Sequence, residues 1–376
     1  MMVPQKKNLA KKTAALYQRK NFFSTQVPLK REKSPENNSA EVALLMADTY
    51  LKLKNYKKAE LFYQQALQQK PQNSEVLYKF GKLLLLTSRS IEAEVYLRKA
   101  VDIDSTNPRL ICLLAKVLNN NGKTKEAIQM YNKAIELDDS LWSPHYGLYK
   151  IFHSAGMKKE ARKALFNTIR KKPLSPLPYF VMGRFLLNHS KFESAERFFQ
   201  HALILGYCQH TVHYYLGLCW SRREKEDPLN YFYAAQYFEK AIQLQPHNPL
   251  NHAALAFCCH KLEDYQSAIL AYNEAIRLAP KHEKFYNALS TLYICLHRYK
   301  EAANVLENLS RVKTNDADLH YKIGCLLFSH GDLQSAIAHL SKAISINPEH
   351  TKAIKKLKKI TMRMQLANTT KEASEQ

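Results

Sequence analysis

Glycine is scarce in this chain: nine residues in 376, where average usage would give roughly 26. That shortage excludes glycine-rich phosphate loops, collagen-like repeats and turn-dense β-sandwiches, all of which need backbone freedom that glycine supplies. Long apolar runs are missing too. No stretch approaches the roughly 18 consecutive apolar residues of a transmembrane helix, and the N-terminus shows no apolar core of a secretory signal. The seven cysteines are Cys112, Cys208, Cys219, Cys258, Cys259, Cys295 and Cys325. They are odd in number, scattered and free of any C-x-x-C, so a reducing compartment is expected in place of a disulfide framework or zinc ribbon.

Catalytic signatures are also lacking. The chain has no H-E-x-x-H, no G-x-S-x-G and no Walker motif, and its acids are dispersed over helix surfaces. Cys208-x-His210-x-x-His213 places ligand types close together but lacks a fourth. No enzyme activity, metal or cofactor is therefore expected.

Positive charge is abundant. Lys+Arg is 56 against 33 Asp+Glu, a formal net charge of +23. With 46% hydrophobic and 24% charged residues, the composition is neither disordered nor membrane-like. The charge is local. Residues 1–39 carry nine bases and two acids, residues 142–175 eight bases and Glu160 alone, and residues 351–376 seven bases and two acids. Residues 1–31 hold no acid at all. That segment reads as a disordered basic tail, with a mitochondrial targeting segment as the alternative.

Internal periodicity organises the rest. Tyr56, Ala59, Tyr63, Ala66 and Pro71 recur downstream as Ala268, Tyr272, Ala275 and Pro280, and as Ala336, Leu340, Ala343 and Pro348. The anchor alanines are Ala59, Ala93, Ala127, Ala161, Ala195, Ala234, Ala268, Ala302 and Ala336. Seven of their eight intervals are 34 and one is 39, which puts a five-residue insertion before Ala234, expected to lengthen the turn that opens at Arg222. Setting each anchor at position 20 places Gly81, Gly183, Gly217 and Gly324 at position 8, and Gly122, Gly156 and Gly331 at position 15. Seven of nine glycines thus serve two registers: a close helix contact and a turn.

This pattern resembles the tetratricopeptide repeat family. The resemblance implies an all-α, right-handed superhelical α-solenoid of paired antiparallel helices. Nine repeats are expected, at 40–73, 74–107, 108–141, 142–175, 176–209, 210–248, 249–282, 283–316 and 317–350. A basic tail at 1–39 precedes them, and a basic capping helix and tail at 351–376 follow, with apolar residues at helical spacing in Ile354, Leu357 and Ile360 to cover the last repeat.

In the family, positions 2, 5, 9 and 12 of each first helix line a concave ligand groove. Here position 9 of repeats two to five reads Lys82, Lys116, Lys150 and Arg184, and position 5, one turn earlier, reads Tyr78, Cys112, Tyr146 and Phe180, followed by Tyr214. Lys79 and Arg109 extend the row. Cations interleaved with aromatics suit an acidic peptide with aromatic anchors; single-stranded nucleic acid is the alternative. The carboxylate clamp for chaperone C-terminal tails is not expected, because no position 6 holds asparagine. Position 9 of repeats six to nine, Leu218, Phe257, Thr291 and Cys325, is more apolar. The expectation is a cytoplasmic, non-catalytic scaffold or adaptor, with an RNA-associated protein or a mitochondrial assembly factor as alternatives.

Overall fold

The computed structural model describes residues 38–223 and 227–374. Residues 1–37, and with them the expectations for segment 1–31, lie outside the described residues, as do 224–226 and 375–376. Among the described residues there are nineteen α-helices and no strand.

Two compact units divide at Asp138 and Asp139. The first holds α1 (Asn38–Lys52) and α2 (Tyr56–Gln69), α3 (Ser74–Leu86) and α4 (Ser90–Ile103), α5 (Pro108–Asn120) and α6 (Thr124–Leu137). The second holds α7 (Trp142–Ser154) and α8 (Lys158–Lys171), α9 (Pro176–Leu187) and α10 (Phe192–Ile204), α11 (Gln209–Ser221) and α12 (Pro228–Leu244). It continues with α13 (Pro249–Lys261) and α14 (Tyr265–Leu278), α15 (Glu283–Cys295) and α16 (Tyr299–Val312), α17 (Ala317–His330) and α18 (Leu333–Ile346), and ends on α19 (Thr351–Ser374). Within each unit a helix packs most extensively on its pair mate and then on the next pair.

The helix ends follow local chemistry. Asn73, Asn107, Asp227, Asn248, Asp264, Asp316 and Asp332 cap helix N-termini by accepting backbone N–H bonds. At the other end, Pro71, Pro173, Pro246, Pro280 and Pro348 each stand two residues past a helix, where a missing N–H and a fixed φ forbid continuation.

All nine anchor alanines are completely buried. Beside them, in the four pairs with glycine at position 8, lies a very close contact between that residue of the first helix and position 24 of the second. A Cβ on Gly81 would stand 2.6 Å from Leu97 Cγ; on Gly183, 2.7 Å from Phe199 Cε1; on Gly217, 2.6 Å from Phe238 Cε1; and on Gly324, 2.8 Å from Leu340 Cγ. The glycines are there because the partner side chain already occupies that volume.

Position 15 is a backbone requirement wider than its glycines. Gly122, Gly156 and Gly331 have φ of +79°, +72° and +96°, and Lys54, Ser88, Ser190, Glu263 and His297 adopt φ between +56° and +62° at the same position. The left-handed residue lets the next N–H reach back into the first helix, as in Arg89 N–H to Leu84 O and Lys123 N–H to Leu118 O, both 2.9 Å.

Two expectations are corrected in detail. The insertion in repeat six does more than lengthen a turn: α12 is 17 residues long and begins six residues before Ala234, whereas the other second helices begin three before their anchors. Part of the added chain is an extra helical turn, started by Pro228 behind the Asp227 cap. In α19 the residues that meet the core are Ala353, Leu357, Ile360 and Met364, packed with Leu327, Leu340 and Ala343, while Ile354 is exposed. The helix covers α18 and α17, as a solenoid end requires.

Among the described residues of the first unit one acid is buried, Glu94 of α4. Its carboxylate meets Lys123 Nζ at 2.7 Å and an Arg98 guanidinium nitrogen at 2.8 Å, and accepts a bond from Asn121 Nδ2 at 2.8 Å. Burial opposes its ionisation, but these donors outweigh burial and lower its pKa to about 2.

Adding a methyl by Gly183→Ala is expected to lower stability in chemical denaturation by about 1–3 kcal/mol, the cost of overpacking. At position 15, Ser88→Gly should stabilise by up to about 1 kcal/mol, since a left-handed non-glycine residue is disfavoured by that order, and Gly122→Ala should destabilise. Because the Glu94 pKa is depressed, its contribution is complete above the ordinary glutamate pKa and is lost as pH falls through about 2. Urea titrations between about pH 5 and pH 2 should show a stability slope that Glu94→Gln reduces.

Candidate functional site

The second unit opens on α7, whose Trp142, Tyr146, Tyr149 and His153 are spaced by four, three and four residues and share one helix face. Their rings run in sequence. Trp142 and Tyr146 centroids are 6.1 Å apart, Tyr146 and Tyr149 stack at 5.8 Å, and Tyr149 and His153 stack at 5.5 Å with an interplanar angle of 19°. His153 then meets Phe185 of α9 edge-on at 6.0 Å. Val181, Arg184 and Phe185 of α9, with Asn188 at its C-cap, form the facing stripe. Together with Tyr146, Tyr149, Lys150 and His153 they line an open cavity of about 270 Å³.

Its charge is uncompensated. Lys150 Nζ stands 4.9 Å from the Tyr146 ring centroid, and the Arg184 guanidinium carbon 5.7 Å from the ring of Tyr215 in α11. Among the described residues neither cation makes an ion pair, and no carboxylate lines the cavity. Aromatic faces attract cations without neutralising them, so two full positive charges remain for a ligand. Burial raises the pKa of both Tyr146 and Tyr149, with Arg184 pulling the other way. Both phenols therefore keep their protons at neutral pH. The cavity offers aromatic faces, two hydroxyls and two cations, and holds no nucleophile paired with a base.

Three of the residues expected from the repeat register, Tyr146, Lys150 and Arg184, are thus brought to one cavity. Five that line it were not anticipated: Tyr149, His153, Val181, Phe185 and Asn188. A signal existed for two of them. His153 falls at groove position 12, and Tyr149 occupies position 8, which holds glycine, alanine or serine in every other repeat. A tyrosine does not fit the close contact with position 24. Its ring lies along α7 between Tyr146 and His153 instead.

Other expected residues sit differently. Phe180 is a correction: it is 4% exposed, stacks on Tyr207 at 4.3 Å and packs with Phe199 and Val212 in the core. Tyr214 is half-buried and packs with Ala234, Phe238 and Cys258. In the first unit, Lys82 of α3 and Lys116 of α5 are exposed and make no ion pair among the described residues. Tyr78 packs against Leu77, Ala100 and Leu110. Burial raises its pKa and nearby Arg109 opposes the rise. Lys79 is a second correction. Its ammonium lies 2.8 Å from Asp48 and 2.7 Å from Glu75, so it adds no free charge to the row.

Two stretches of the chain, residues 249–282 and 317–350, match the tetratricopeptide repeat model, and residues 40–153 match the TT21 fifth ARM repeats domain. The chain carries tetratricopeptide repeats. The repeat protein is 20% identical over 196 residues to anaphase-promoting complex subunit 3 of Schizosaccharomyces pombe, covering 52% of this chain and 29% of that one. It is 28% identical over 117 residues to BBSome complex member BBS4 of Bos taurus, covering 31% and 22%. The chain spans less than a third of the length of these curated relatives. Among solved structures it is similar to the APC/C hetero-tetramer Cut9-Hcn1, at 17% identity and a TM-score of 0.42, covering 92% of this chain and 81% of that one. No helix among the described residues is long and apolar enough to cross a membrane.

Proposed function

We propose that this repeat protein is a non-catalytic interaction scaffold that grips an acidic, aromatic-containing segment of a partner protein on the first-helix face of its repeats. The organisation that goes with this reading is nine repeats over residues 40–350, working in a reducing, cytoplasmic setting. Repeat proteins of this type mediate protein–protein interactions, and that role agrees with the relatives, two of which are named as members of multi-subunit complexes.

One observation carries the finer reading: the α7–α9 cavity combines four aromatic rings with two cations that have no acidic partner among the described residues. An acidic peptide supplies the missing carboxylates, and its aromatic side chain finds ring faces already aligned. Lys82 and Lys116 offer further unpaired charge on the same register of the first unit.

Charge reversal tests this directly. Hydrogen bonds to charged groups contribute about 1.5–3 kcal/mol each, so Lys150→Glu with Arg184→Glu should weaken partner capture by at least about tenfold in affinity purification. Recovery of the same partners at the same yield would sink the proposal. Loss of the captured set on nuclease treatment, with a steep salt dependence, would replace it by a nucleic-acid reading.

A further inference from the structure

The other face of the same region carries a second, independent feature. Helix α8 holds six bases, Lys158, Lys159, Arg162, Lys163, Arg170 and Lys171, against the single acid Glu160. Its inward face is complete without them: Ala161, Ala164, Leu165 and Thr168 are buried. Lys159, Arg162, Lys163 and Phe166 follow at i, i+3, i+4 and i+7, the spacing of one continuous stripe, and this stripe points to solvent. Phe166 is 58% exposed.

Beside that stripe lie Met182 and Leu186 of α9 and Ser194 and Phe198 of α10. These eight residues line a groove of about 620 Å³. Phe166, Met182, Leu186 and Phe198 make its floor apolar, and Lys159, Arg162 and Lys163 form a cationic rim. Met182 and Leu186 lie on a different side of α9 from Val181, Arg184 and Asn188, so the groove shares no residue with the α7–α9 cavity. None of the three rim cations makes an ion pair among the described residues. Their neighbours differ: Lys171 is bonded to Asp139, and Lys172 lies 4.5 Å from the Trp142 ring centroid.

We propose that this groove is a second docking site, which receives an acidic amphipathic segment of another protein. Charge complementarity selects the occupant. Three adjacent cations without a counter-charge call for a run of carboxylates, and an apolar floor calls for an aliphatic or aromatic anchor inserted between them. A bilayer is the poorer match. Membrane-bound helices push a protruding apolar face into the lipid, whereas here Phe166 alone protrudes, Leu186 and Phe198 are half-buried and Met182 is only 2% exposed. The two sites together make the scaffold bivalent, able to hold two acidic segments on separate faces of neighbouring repeats.

The test uses the full chain and a short fluorescein-labelled peptide with glutamates on one helical face and leucines and a phenylalanine on the other. Fluorescence anisotropy should show saturable binding that weakens tenfold or more on Lys159→Glu, Arg162→Glu and Lys163→Glu together. The neutral set Lys159→Gln, Arg162→Gln and Lys163→Gln should weaken it less, and Phe166→Ser should weaken it severalfold. Lys352→Glu, Lys355→Glu and Lys358→Glu together on α19, the same charge change at exposed positions, should leave it intact. Circular dichroism of each variant confirms that it is folded. Absence of saturable binding, equal binding of a peptide with lysines for glutamates, or indifference to the charge reversals at the groove would overturn the proposal. So would sedimentation with phosphatidylserine vesicles that the same reversals abolish while the peptide fails to bind.

Discussion

The close approach of two helices at position 8 is the constraint on which the fold depends. A first helix touches its mate where a glycine or other small residue faces the bulky residue at position 24, and the anchor alanine at position 20 keeps the neighbouring turn narrow. Without that clearance, Phe199 and Phe238 would have no room beneath the first helix. With it, each pair becomes a unit whose apolar face is completed only by the next pair, which is the logic of a repeat array. The left-handed residue at position 15 belongs to the same design. It reverses the chain in three residues, so that the second helix starts in register with the contact.

Because packing consumes the same positions in most pairs, the others are free to vary. The candidate sites arise where variation is greatest. Repeat four abandons the small residue at position 8 for Tyr149, and its residues 142–175 carry eight of the chain's bases with one acid. Tyr149 then joins an aromatic row on α7, bounded by Lys150 and Arg184. On the opposite side, α8 spends a whole solvent-facing stripe on three cations and an exposed phenylalanine. Both features use charge that the fold does not need. That spare charge is what the proposed docking of acidic segments draws on.

Much of the molecule was legible as a pattern. A period of 34 with alanines in register is a statement about which residues must be small, and smallness is visible in one dimension. The glycine shortage had the same origin, since a helical array needs glycine only at contacts and turns. The capping helix was equally plain, although its buried stripe proved to be Ala353, Leu357, Ile360 and Met364. Less visible was the fate of each charge. Lys79 and Lys82 look alike in sequence, yet Asp48, 31 residues before Lys79, neutralises one and leaves the other exposed. Phe180 shares the register of Tyr146, but Tyr207 comes across to cover it.

The sequence by itself determined the all-helical class, the spacing of the pairs and the columns where side chains must be small or bulky. It also located the basic tails and the basic fourth repeat. These follow from local propensity and periodicity, which act between residues one or two turns apart. Only the tertiary structure decided which cations keep their charge, which aromatics are covered, and which residues meet across helices to line a cavity. Those outcomes depend on side chains some thirty residues apart that packing brings within a few ångströms, and no periodicity encodes them.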